Sequence, residues 1–185
     1  LEGWVYRKFD EVIDKMGRSS FLAKPMQAET VADLFNQWGW KGVFDVLVIH
    51  LGLRRLRITA RTSNSIVQPG ECQSEITYIN NVADSVHYVI TINEQFIDSP
   101  FVAAAIMAHE LCHVVYDERI DSLVKRNPVY LGSGQPSLWR SKAGEDLLEF
   151  ERMIDLLVCM FKLGEFQIRT SRDRRLTLGY FTQEI

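Results

Sequence analysis

The chain lacks the features that mark a membrane, disulfide-stapled or nucleic-acid protein. No apolar run reaches the roughly 20 residues that a membrane-spanning helix needs. Nothing near its start has the charged-then-apolar pattern of a secretory leader. Cysteine is scarce: Cys72, Cys112 and Cys159 form no CxxC pair and no zinc-knuckle spacing. Free thiols fit a reducing compartment, so the expectation is a cytoplasmic protein with no membrane partner. Basic charge is not in excess, with 21 Lys and Arg against 24 Asp and Glu. The basic clusters at Arg54-Arg55-Leu56-Arg57 and Arg172-Asp173-Arg174-Arg175 are short and read as solvated faces. No nucleic-acid partner is expected. Internal repeats, low-complexity tracts and interdomain linkers are also missing. The 185 residues then fit one domain, 1–185, long enough to bury a core.

What is present is hydrophobic patterning of two periods. Val5, Phe9, Val12, Ile13 and Met16 recur at helical spacing before Gly17. Ala28, Val31, Leu34, Phe35 and Trp38 make a second stripe, stopped by Gly39. Phe44 to Leu51 is apolar nearly all round. It fits a buried helix or a buried strand, with helix the preferred reading. Residues 1–52 are thus a mainly helical lead-in. From 53 to 97 the period changes. Leu56, Ile58 and Ala60 alternate with polar residues, and Pro69-Gly70 marks a turn. Glu75–Asn80 and Val86–Asn93 are rich in β-branched and aromatic residues and read as antiparallel neighbours in a small sheet. Residues 99–164 return to helical spacing. Ser99-Pro100 predicts a helix start, with Ser capping free amides, and the helix runs to about Tyr116. A loop over 126–143 follows, then a helix over Glu145–Leu163 stopped by Gly164. Residues 165–185 form a C-terminal segment. This order of helices, small sheet and long helices is α+β.

The helix that starts at Ser99-Pro100 carries His109-Glu110-Leu111-Cys112-His113, an HExxH motif. On a helix, residues four apart lie on one face, so both imidazoles can hold one Zn²⁺ from the same side. Glu110 projects beside them. It can accept a proton from the attacking water and pass it to the leaving group. Two histidines need a third protein ligand. The metzincin solution, HExxHxxGxxH, is excluded because Tyr116 and Arg119 stand at the required Gly and His. A carboxylate from the Glu145–Leu163 helix is the alternative, and Glu145, Asp146, Glu149, Glu151 and Asp155 are available. Glu151 and Asp155 share a helix face, whereas Glu149 has Met153 four residues on.

Glu151-Arg152-Met153-Ile154-Asp155 resembles the ExxxD element of gluzincins. The short separation from His113 is similar to that in the compact minigluzincins, including the ImmA/IrrE-like metallopeptidases. The resemblance covers roughly residues 86–163. It departs at Cys112, where many zincins have Gly, and at Ile154, where the ImmA-like pattern has Ala. It implies a zincin-like fold: a small, mostly antiparallel sheet packed against the HExxH helix and a second, ligand-bearing helix. It also implies that Glu151 is the third zinc ligand and that Asp155 orients a ligating histidine.

The expected function is a zinc-dependent hydrolase, most simply a peptidase acting on a peptide or protein substrate, with Glu110 as base. Val86–Asn93 is the expected strand for an extended substrate. The alternative is a zinc-bound sensor or interaction module with a vestigial or autoinhibited site, covered by the 126–143 loop or the segment after Gly164. Cys112 and Cys159 read as small buried core residues. His50 reads as a core residue and His87 as a weak candidate for polarising a substrate carbonyl. Tyr116, Tyr130 and Tyr180 have no assigned role.

Overall fold

A computed structural model describes residues 2–79, 82–120 and 147–170, without the side chains of 75–79, 82–85 and 147. The expected 126–143 loop, the helix start at Glu145-Asp146, Tyr130, Tyr180 and the Arg172–Arg175 cluster lie outside the described residues. Helix α1 (Glu2–Met16) ends at Gly17, whose φ of 77° is readily adopted only without a Cβ. Helix α2 (Ala28–His50) contains both later apolar stripes. Gly39 does not stop it; at φ 65° it kinks the chain, and helix resumes beyond. The run after Phe44 is therefore helical, with Val43, Phe44 and Leu47 buried.

Three strands follow: β1 (Arg57–Ser63), β2 (Gly70–Ile79) and β3 (Val82–Asn93). The order is β1-β3-β2. Strand β3 pairs antiparallel with β2, as its sequence predicts, but parallel with β1. The sheet is mixed, which corrects the mostly antiparallel expectation. Alternation identifies a strand and its buried face, but says nothing of its partner's direction.

Helix α3 (Pro100–Arg119) crosses the middle of the molecule, and every residue from Val102 to Asp117 is buried. Its first-turn cap differs from the prediction. Ser99 stands at the cap position, but its side chain makes no capping bond; its carbonyl oxygen accepts from the Ala103 amide at 2.9 Å. One face of α3 meets the sheet, where Tyr88 Oη donates to Asp117 Oδ2 at 2.6 Å and lies 2.5 Å from Glu118 Oε1. The other faces meet α2, α4 (Leu147–Met160) and α5 (Gly164–Thr170). Helix α4 stops at Met160, with Lys162 at φ 61°, and Gly164 opens α5 rather than closing α4. The result is α+β, with five α-helices and a three-stranded sheet among the described residues. None of the described helices is long and apolar enough to cross a membrane.

Candidate metal centre

The 3.6-residue period puts His109 and His113 on one face of α3, with ring centroids 5.0 Å apart. Helix α4 packs against that face and turns Glu151 and Asp155 to it. His109 Nε2 lies 3.1 Å and His113 Nε2 3.7 Å from Glu151 Oε2. His109 Nδ1 lies 3.1 Å from Asp155 Oδ1. All four residues are buried. One ligand atom from each of His109, His113 and Glu151 falls within 4.8 Å of the others, so this group could hold a metal ion.

The hydrogen bonds argue for a cation here. A carboxylate only accepts, and a neutral ring carries one proton, so only one His109 nitrogen can donate to the two carboxylates it faces, Asp155 at Nδ1 and Glu151 at Nε2. With that proton on Nδ1, Nε2 presents a lone pair to a Glu151 oxygen 3.1 Å away; with it on Nε2, Nδ1 presents one to Asp155. Two lone pairs at that distance repel unless a proton or a metal lies between them. Donors about 2.0–2.2 Å from a tetrahedral ion stand roughly 3.3–3.6 Å apart, within the spread found here. Without a metal, burial opposes the imidazolium of His109. The bonds to Asp155 and Glu151 outweigh it and raise the ring well above the usual histidine range. Burial lowers His113 to about 4, although the nearby Glu151 charge works against it. Glu151 is held below its ordinary value: burial opposes this, but His113 and His109 prevail.

Glu110 lies on the side of α3 that faces β2. Burial pushes its carboxyl up to about 7, with Glu151 and Glu71 adding to the effect, while His109 and a backbone hydrogen bond from Cys72 pull it down. Its Oε2 is buried with no hydrogen-bond partner. Gly70 makes the close approach possible. A Cβ there would stand 2.8 Å from Glu110 Cγ and 2.6 Å from Ile106 Cγ2, closer than packed carbons tolerate.

The structure thus brings together His109, Glu110, His113, Glu151 and Asp155. It separates the other candidates from them. Glu149 forms an ion pair with Lys8 of α1 at 3.2 Å. His50 Nε2 donates to the Phe161 carbonyl at 2.8 Å. His87 Nε2 lies 2.9 Å from Thr59 Oγ1 on the neighbouring strand. Tyr116 packs edge-on against Phe150. Cys112 is buried as expected, but Cys159 is exposed. Three participants were missed in the sequence. Gln167 of α5 donates to Asp155 Oδ1 at 2.9 Å and fixes the carboxylate that holds His109. Gly70 and the Cys72 amide line the other side of Glu110. Pro69-Gly70, read only as a turn, was the one available signal. No protein-family model, curated protein or solved structure matches the chain, so its functional reading rests on these residues and distances.

Proposed function

We propose that the chain is a zinc-dependent hydrolase of the gluzincin type that cleaves peptide bonds. One observation carries this reading: a buried His109/His113/Glu151 donor set with a carboxylate beside it, Glu110, whose Oε2 has no hydrogen-bond partner. A purely structural metal site has no use for that carboxylate, and leaving one of its oxygens buried without a partner is costly. Zinc is the ion favoured by two imidazoles and one carboxylate, and when bound it would polarise the scissile carbonyl and acidify the attacking water.

The chain's own groups would do the rest. Glu110 takes the proton of the attacking water and delivers it to the leaving amine. Asp155, held by Gln167, fixes the ring of His109 so that Nε2 faces the donor set. Strand β2 is the natural seat for an extended peptide. Among the described residues it pairs only with β3, and its Gly70–Cys72 stretch flanks Glu110. This replaces Val86–Asn93, the strand expected from sequence, because β3 is central and both its edges are occupied.

Element analysis and a peptide-library digest test the proposal together. The expected outcome is about one zinc per chain, and cleavage that Glu110→Gln abolishes while keeping the metal. A metal-free protein that takes up no zinc on titration would overturn it. So would a Glu110→Gln variant that cleaves at the wild-type rate.

A further inference from the structure

The opposite face of the sheet carries a second feature that the metal centre does not use. A cleft of about 460 Å³ is lined by Arg61, Thr62, Ser63, Glu71, Gln73 and Thr91, among others. Its central row is set by the strand register: Arg61 of β1 and Glu71 of β2 both stand opposite Thr91 of β3. Glu71 is only 7% exposed, and no hydrogen bond or ion pair engages it among the described residues. A carboxylate removed from water without a partner is costly, so it signals a missing counter-group. Arg61 is not that group. Two strand spacings, roughly 9–10 Å, separate the two backbones, and Arg61 is exposed with its Nε donating to Thr91 Oγ1 at 3.1 Å. The cleft therefore has a buried negative end beside the β2 edge of the sheet, which is unpaired among the described residues, and an exposed positive end two strands away.

Glu71 is also tied to the metal centre by position. Its chain neighbours Gly70 and Cys72 turn to the helix side of the sheet and touch Glu110, while Glu71 turns to the cleft. A chain pairing with that edge of β2 would place alternate side chains on the cleft face. The polar groups of β2 that such a side chain meets there are Glu71 and Gln73, before Thr91 and Arg61, and of the two only Glu71 is an acid. We propose that the cleft binds a basic side chain of the substrate, an ammonium or guanidinium group with Glu71 as its counter-ion, so that peptides bearing Lys or Arg are preferred. The ligand's identity as a peptide rests on the hydrolase reading; binding of the cationic group does not.

The test is titration of the full chain, zinc-loaded and chelator-treated, with Nα-acetyl-L-argininamide and Nα-acetyl-L-lysinamide, followed by nuclear magnetic resonance. Nα-acetyl-L-norleucinamide is the neutral control. At least one basic probe should bind about tenfold or more tighter than norleucinamide, and Glu71→Gln should lose that margin while Arg61→Ala keeps it. Equal binding of basic and neutral probes by the wild type overturns the proposal, even if Glu71→Gln does not fold. Unchanged selectivity in a folded Glu71→Gln variant overturns it as well. A library digest separates the two readings. Cleavage without preference for basic residues, together with no probe selectivity, sinks the cleft and leaves the hydrolase standing. Selective probe binding with no cleavage of any peptide does the reverse.

Discussion

Glu149 and Glu151 sit two residues apart on α4, and their surroundings give them opposite roles. Glu149 faces Lys8 near the surface, while Glu151 is buried against both histidines. Glu151→Ala should therefore weaken zinc binding strongly, and Glu149→Ala should leave it within about twofold, because an exposed ion pair contributes little. Calorimetric titration of both variants in one buffer checks this; loss of zinc by the Glu149 variant alone would reverse the ligand assignment. Glu110 supplies a second test. Its folded value of about 7 lies above the ordinary carboxyl value of 4.5. Its stabilising contribution is thus complete below pH 4.5 and is lost as pH rises through 7, where a buried charge must form. In chelator-treated protein, Glu110→Gln should gain about 1–3 kcal/mol on the wild type between pH 5 and pH 8. Denaturant unfolding at the two pH values measures it, and an equal difference at both would mean that Glu110 ionises freely in the fold.

At the scale of elements, the close approach of β2 to α3 decides how Glu110 is held. Gly70→Val would drive a branched side chain into Ile106 and Glu110. The expected cost is about 1–3 kcal/mol of stability, with hydrolysis falling further than stability because the carboxylate is displaced. Wild-type kinetics in a Gly70→Val variant would place Glu110 elsewhere. This contact also marks the limit of what the sequence discloses. His109, Glu110, His113, Glu151 and Asp155 are legible because each motif lies within one helix, where spacing alone determines which side chains share a face. Gly70, Cys72 and Gln167 reach the same site from other elements, and nothing local announces them. The parallel pairing of β1 with β3 is hidden for the same reason, since a strand's pattern is blind to its neighbour's direction. At Gly39 and Gly164 the sequence misleads differently. Glycine permits a positive φ or a close contact without requiring a helix to end, and here it serves as a kink and as the start of α5.

Across the whole molecule, the donor set joins parts of the chain that are distant in sequence. His109 and His113 come from the central helix and Glu151 from α4, beyond the stretch 121–146. Helix α3 packs against α2, α4, α5 and the sheet, so a metal fixing α4 to it would stabilise the core as a unit. The metal-free centre also holds opposed features: a raised His109, a lowered His113 and Glu151, and a Glu110 whose buried Oε2 has no hydrogen-bond partner. The unfolded chain has no preformed site, so binding free energy appears directly as folding free energy. At a free zinc concentration one hundred times the dissociation constant, that gain is about 2.7 kcal/mol. For a chain of this size it corresponds to a rise of roughly 5–10 °C in melting temperature. Calorimetric melting of zinc-loaded and chelator-treated protein should show this gap, and Glu151→Ala should close most of it. Equal melting temperatures for the two wild-type forms, with zinc shown to be bound in one, would mean that the ion sits outside this core.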